Sequence, residues 1–206
     1  MGIPVIIGGI FDMGNDRVLK QDKIDEMIEA FQSKINYFII DMDNSKELFG
    51  KEIPNEVINN ILKIALDKYE NIYYSVVGRD AIAGIYGGES LSVFDFANLK
   101  EEIQKKMSNI YEKEITFCMG ISVYPDVCKQ KHDIRDFALD ALFTSKQKGF
   151  NQITVSSEEN MKLKSVYFRK SQLVKLGYFA QKTGKPEAEI IRKALDQYLE
   201  KQLLKS

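Results

Sequence analysis

Phe38-Ile39-Ile40-Asp41-Met42-Asp43-Asn44-Ser45-Lys46 is the stretch on which the reading of this chain turns. Three consecutive bulky apolar residues, two of them β-branched, suit a strand buried on both faces, and the apolar run ends on two carboxylates one residue apart. We therefore expect a strand over 37–41. A strand that ends on paired acids can offer oxygen ligands to a divalent cation within reach of a nucleotide's phosphates. Acids at strand ends also occur merely because they are solvated there, and this strand alone leaves both readings open.

Outward from that strand, helices and strands alternate. Upstream, an apolar run predicts a strand over 5–10, and Ile24, Met27, Ile28 and Phe31 form one face of a helix over 22–33. Downstream, Ile58, Ile61, Leu62, Ala65, Leu66 and Tyr69 share a face of a helix over 55–69. A strand over 71–77 follows, then a paired segment over 81–96, in which Ile85-Tyr86-Gly87-Gly88-Glu89-Ser90-Leu91-Ser92-Val93 reads as a hairpin turning on its glycine pair. Glu89 would project from that turn, and could meet Asp41 if the two strands are neighbours. A helix over 99–111, a strand over 115–123, a helix over 134–148 and a strand over 152–155 complete an α/β sandwich with a largely antiparallel sheet.

Bulk properties fit a body and a small appendage. The chain has 206 residues, 44% hydrophobic and 29% charged, with no apolar run long enough to span a bilayer. The short apolar N-terminal stretch has no basic region before it, so we expect a cytoplasmic protein with no membrane partner. Cys118 and Cys128 have no metal or redox spacing, and His132 lies in a polar loop; none of the three is given a role. The net charge of -1 hides an asymmetry: residues 161–206 carry 11 Lys+Arg against 4 Asp+Glu, the remainder 18 against 26. A basic tail on an acidic body points toward nucleic acid, although a solvated lysine-rich helix would give part of it.

The tail has its own pattern. Lys164-Ser165-Val166-Tyr167-Phe168-Arg169 alternates with the period of a half-buried strand. Leu173, Leu176 and Ala180 then fall on one helical stripe, with Ser171 as cap and Thr183-Gly184 as the stop. Pro186 opens a second helix in which Ile191, Ala194, Leu195, Tyr198 and Leu199 share a face. One strand and two short helices cannot bury their apolar faces alone, whereas a second copy would pair the strand and close a shared core.

That order resembles the ribbon-helix-helix DNA-binding family over about 163–201. The resemblance implies a homodimer in which Leu163, Ser165 and Tyr167 read bases while Lys162, Lys164 and Arg169 reach phosphates. The body resembles the GGDEF domains, which condense two nucleoside triphosphates into a cyclic dinucleotide. Asp41-Met42-Asp43-Asn44-Ser45-Lys46 is similar to that family's first metal motif, Tyr86-Gly87-Gly88-Glu89-Ser90-Leu91 to its signature, and Ala138 to Gly149 to its final helix. The resemblance implies a ferredoxin-like palm with Mg²⁺ or Mn²⁺ held by Asp41, the Met42 carbonyl and Glu89, and with Glu89 and Lys46 as the catalytic pair. Asp43, Asn44, Lys46, Phe49, Asn55, Gly87, Gly88 and Lys146 would line the nucleotide. Ser90 and Leu91 stand where the signature carries an acid and an aromatic, and Phe150 where an arginine follows Gly149, so the motif is degenerate.

The expected organisation is a nucleotide-binding body over 1–155, a short polar linker over 156–161 and a DNA-binding, dimerising domain over 162–206. The expected function is that of a DNA-binding transcriptional or plasmid-type regulator whose body binds a nucleotide or cyclic dinucleotide. The alternative is an active metal-dependent cyclic-dinucleotide synthase, a nucleotidyl cyclase of altered base choice tethered to DNA.

Overall fold

The computed structural model describes residues 16–89, 91–157 and 164–203. The expected strand over 5–10, Ser90, Lys162, Leu163 and most of the expected linker lie outside the described residues. The chain divides into two compact units, Met1–Ser157 and Glu158–Ser206.

In the first unit the described elements run α1 (Gln21–Ala30), β1 (Ile35–Met42), α2 (Ser45–Phe49), α3 (Asn55–Lys68), β2 (Tyr73–Val76), β3 (Ala81–Gly87), α4 (Val93–Tyr111), β4 (Phe117–Tyr124), α5 (Ile134–Lys148) and β5 (Ile153–Val155). The strands form one five-stranded sheet in the order β2-β3-β1-β4-β5, antiparallel except for the parallel β4–β5 pair. β1 is the central strand and every one of its residues is buried, as its unbroken apolar run demands. Side chains alternate across the sheet. Phe38, Ile40 and Met42 therefore join the core beneath α3 and α4, while Ile39 and Asp41 face the other way.

α5 covers that other face, against β4 and β1. Gly120, opposite Ile39 in the ladder, permits this: a Cβ there would overlap the Ala138 carbonyl and the Leu142 backbone nitrogen. Ser145 then fastens α5 to the sheet, its hydroxyl 2.8 Å from the Met119 carbonyl and 2.9 Å from Thr154 Oγ1.

The expected hairpin at Gly87-Gly88 does not form. β3 ends at Gly87, and the segment after it enters α4 through a capping box: Ser92 Oγ accepts from the Asp95 N–H at 3.2 Å, and Asp95 Oδ2 accepts from the Ser92 N–H at 2.9 Å. Ser92-Val93-Phe94-Asp95 carries that signal in the sequence, and Val93 is the first residue of α4 rather than part of the expected paired segment. The hairpin in this fold is β2–β3, turning over 77–80, where the Val77 and Gly78 N–H groups both donate to the Ala81 carbonyl. Gly87 serves packing, since a Cβ there would collide with the Phe31 ring.

In the second unit α6 (Lys170–Thr183) and α7 (Glu187–Leu203) are the described elements. Gly184 takes the left-handed conformation, φ 68°, that stops α6. Ser171 lies inside α6 and does not cap it; Gln172 Oε1 accepts from the Arg169 N–H at 3.0 Å. Residues 164–169 join no ladder among the described residues and are exposed, Tyr167 fully so. Among the described residues of this unit whose burial is assigned, none is buried.

Candidate functional site

Asp41 sits where β1 meets both neighbours, opposite Ala81 on β3 and Cys118 on β4. Its side chain is only 3% exposed, and Lys146 Nζ lies 2.6 Å from its Oδ1. Local geometry accounts for the meeting. Leu142 touches the sheet at Gly120, so Lys146, one helical turn further along α5, comes down two residues back along β4, beside Cys118 and Asp41. Burial pushes the Asp41 carboxyl up to about 7; the Lys146 ammonium opposes the rise, while the negative charges of Asp80 and Asp43 add to it.

Asp43 is tied down differently. Its Oδ2 accepts from Thr116 Oγ1 at 2.8 Å and from the Asn151 N–H at 2.8 Å. Asn151 adopts a left-handed backbone, φ 60°, and its side-chain oxygen accepts from the ammonium of Lys100. Lys100 is 4% exposed, in the α4 stripe of Phe96, Leu99, Ile103 and Met107. Burial lowers its pKa, and the charge of Asp43 opposes that. Cys118 Sγ lies 3.3 Å from the Gly149 carbonyl, its thiol pushed up to about 12 by burial, so it rests as an unreactive neutral group. Thus the loop after α5 is laced to the end of β1 by Asp43, Lys100 and Cys118.

Asp80 comes from the β2–β3 turn. It is 7% exposed, and its carbonyl accepts from the Met42 N–H at 3.2 Å. The sequence reading missed Asp80 because the hairpin had been placed one strand too late. Gly78-Arg79-Asp80 between two apolar segments was the available signal. Lys100 was legible too, as a lysine on a core stripe.

Glu89 is not part of this cluster. β1 and β3 are antiparallel, with Asp41 opposite Ala81 and Ile35 opposite Gly87, so Glu89 follows the far end of the strand. The buried Asn36 holds it there: Asn36 Nδ2 donates to the Glu89 carbonyl at 3.2 Å, and Asn36 Oδ1 accepts from the Leu91 N–H at 3.1 Å. Asn36 and Asp41 are five residues apart on an extended strand, roughly 16 Å. The expected metal trio of Asp41, Met42 and Glu89 is therefore not assembled, Glu89 is not paired with Lys46 around Asp41, and Gly87 and Gly88 lie at the wrong end to line the same ligand.

The remaining expected residues cluster after β1. Asn44 is exposed in a left-handed conformation ahead of α2, Lys46 is exposed, and Asn55 is exposed at the start of α3. Phe49 is half-buried against Tyr111, ring centroids 4.9 Å apart and nearly perpendicular, with Lys113 Nζ 5.3 Å from its centroid.

A hard divalent cation needs several oxygen ligands converging on one point. Among the described residues, no group of three or more His, Cys, Asp or Glu side chains is placed to hold one. Lys146 occupies Asp41 Oδ1, and Thr116 and Asn151 occupy Asp43 Oδ2, so the expected Mg²⁺ or Mn²⁺ does not fit the residues as they stand.

No protein-family model matches this chain, and no curated protein does. Among solved structures the body is similar to GGDEF domains. One is the active GGEEF domain of a diguanylate cyclase from Vibrio cholerae, 18% identical over 66% of this chain and 92% of that one, with a TM-score of 0.53. The GGDEF domain of TpbB, or YfiN, from Pseudomonas aeruginosa is 14% identical over 69% and 94%, TM-score 0.57. The GGDEF domain of DgcB from Caulobacter crescentus, in complex with c-di-GMP, is 17% identical over 74% and 98%, TM-score 0.56. At these identities the likeness establishes the fold: a mixed α/β domain with a five-stranded sheet, of the GGDEF or palm type. No helix among the described residues is long and apolar enough to cross a membrane.

Proposed function

We propose that this protein is a regulator whose body binds a nucleotide or cyclic dinucleotide and whose C-terminal unit dimerises and binds DNA. The observation that carries the first half is the GGDEF-type fold combined with a charged cluster, Asp41, Asp43, Asp80 and Lys146, at one end of its central strand. One neighbour of that fold holds c-di-GMP. Binding is favoured over synthesis because Glu89, the carboxylate that the cyclase reading paired with Asp41, lies at the opposite end of β1.

The second half rests on a unit that cannot be stable as described for one chain. Leu173, Val174, Phe179, Leu195 and Leu199 are all at least 46% exposed. A second copy is the occupant that would cover them and pair the alternating segment 164–169, placing Ser165, Tyr167, Lys164 and Arg169 toward a DNA groove. Thermal-shift assays of the full chain with a panel of nucleoside triphosphates and cyclic dinucleotides test the body, with product analysis by mass spectrometry in Mg²⁺ or Mn²⁺. We expect stabilisation by at least one member and no cyclic product; no stabilisation by any would end the reading, and a cyclic product would replace it with the synthase. For the tail, duplex binding by a dimer should weaken steeply with salt, and Tyr167→Ala should lose more specific than non-specific affinity. A monomer, or binding indifferent to salt, would overturn it.

A further inference from the structure

The acid end of β1 raises a question of charge balance. Asp41, Asp43 and Asp80 are each 7% exposed or less, and three carboxylates gathered so far from water would ordinarily require an external cation. Here the chain supplies cations of its own. Lys146 reaches in from α5 to Asp41 Oδ1 at 2.6 Å, and Lys100 reaches from α4, on the opposite face of the sheet, to Asn151, whose N–H is bonded to Asp43. Both lysines are fixed by packing: Lys146 by the contact of α5 with Gly120, Lys100 by its place in the α4 core stripe.

We propose that this end of β1 is a metal-free centre, in which the Lys146 and Lys100 ammoniums stand in place of a divalent cation, and that a nucleotide bound by the body is taken without a metal bridge. The first part stands on the residues alone; the second rests on the nucleotide-binding reading.

Mn²⁺ alone is the probe, followed by electron paramagnetic resonance on the full chain. Wild type should bind no Mn²⁺ at this centre. Lys146→Met should gain Mn²⁺ binding, with an affinity at least roughly tenfold above any residual affinity of wild type, because Asp41 loses its compensating charge, and Lys146→Met with Asp41→Asn should lose that gain. Lys146→Gln serves if the methionine variant does not fold by circular dichroism. Mn²⁺ bound by wild type and released by Asp41→Asn would overturn the proposal, as would a folded Lys146 variant that gains nothing. In a second arm, any nucleotide that stabilises the protein should do so equally in EDTA and in Mg²⁺, and dependence on Mg²⁺ would overturn the metal-free mode. If no nucleotide stabilises the protein at all, the binding reading fails, while the Mn²⁺ result still decides the centre.

Discussion

The two ends of β1 look alike in the sequence and are opposites in the fold. Each is followed by an acid-bearing segment with an adjacent small or polar residue: Asp41-Met42-Asp43-Asn44 at one end, and Gly87-Gly88-Glu89, carried there by the antiparallel β3, at the other. At the first end three buried carboxylates meet the buried Lys100 and the half-buried Lys146, and α5, α4 and the β2–β3 turn all converge on it. At the second, Glu89 is exposed, and its backbone carbonyl accepts from Asn36 Nδ2. Composition does not separate a site from a solvated turn; the number of elements that close over it does.

The difference can be tested by matched changes at the two ends, beginning with pH. The folded Asp41 carboxyl titrates at about 7 against 3.8 for its ordinary value, so its protonated form is favoured by folding. The stability it contributes is fully present below pH 3.8 and is lost as pH rises to about 7. Wild type should therefore lose up to about 4 kcal/mol relative to Asp41→Asn across that window, read by urea denaturation at a series of pH values. A flat difference between the two proteins would remove the buried-acid description of this end.

Packing comes next in size. Gly120→Ala drives a methyl into the backbone of α5 and should cost about 2–3 kcal/mol, whereas Gly87→Ala meets only the ring of the half-buried Phe31 and should cost about 1 kcal/mol. Equal costs would mean that α5 is not the tightly seated element that brings Lys146 to Asp41. The smallest effect belongs to Glu89→Gln, which should change stability by less than about 0.5 kcal/mol and leave any nucleotide-dependent thermal shift intact. A lost shift would return Glu89 to the site and sharpen the boundary between the two ends.

Much of the body was legible before folding. The helix over 134–148 appears with those bounds, because its apolar period and the Gly149 stop leave little choice, and the buried strand through Ile39 and Ile40 appears because an unbroken apolar run has no other home. The failure at Gly87-Gly88 was local and instructive. A glycine pair flanked by apolar residues satisfies the hairpin pattern, but the Ser92–Asp95 capping box satisfies more backbone donors and starts a helix. Misplacing that one turn carried Glu89 into the site and left Asp80 out of it. In the tail, the helices and the Gly184 stop were readable, while the segment 164–169 finds no partner strand among the described residues with which to form a ladder.

What the sequence by itself determined is the periodic part: an alternating α/β body with a central apolar strand ending on Asp41, and a basic tail of two helices, since hydrophobic spacing and caps act over a few neighbouring residues. Only the tertiary structure decided which charged groups share that end of β1. Asp80 lies 39 positions beyond Asp41, Lys100 lies 59 beyond and Lys146 lies 105 beyond. Their meeting depends on antiparallel register, on the missing side chain of Gly120 and on the loop laced through Asn151, none of which leaves a periodic trace in the chain.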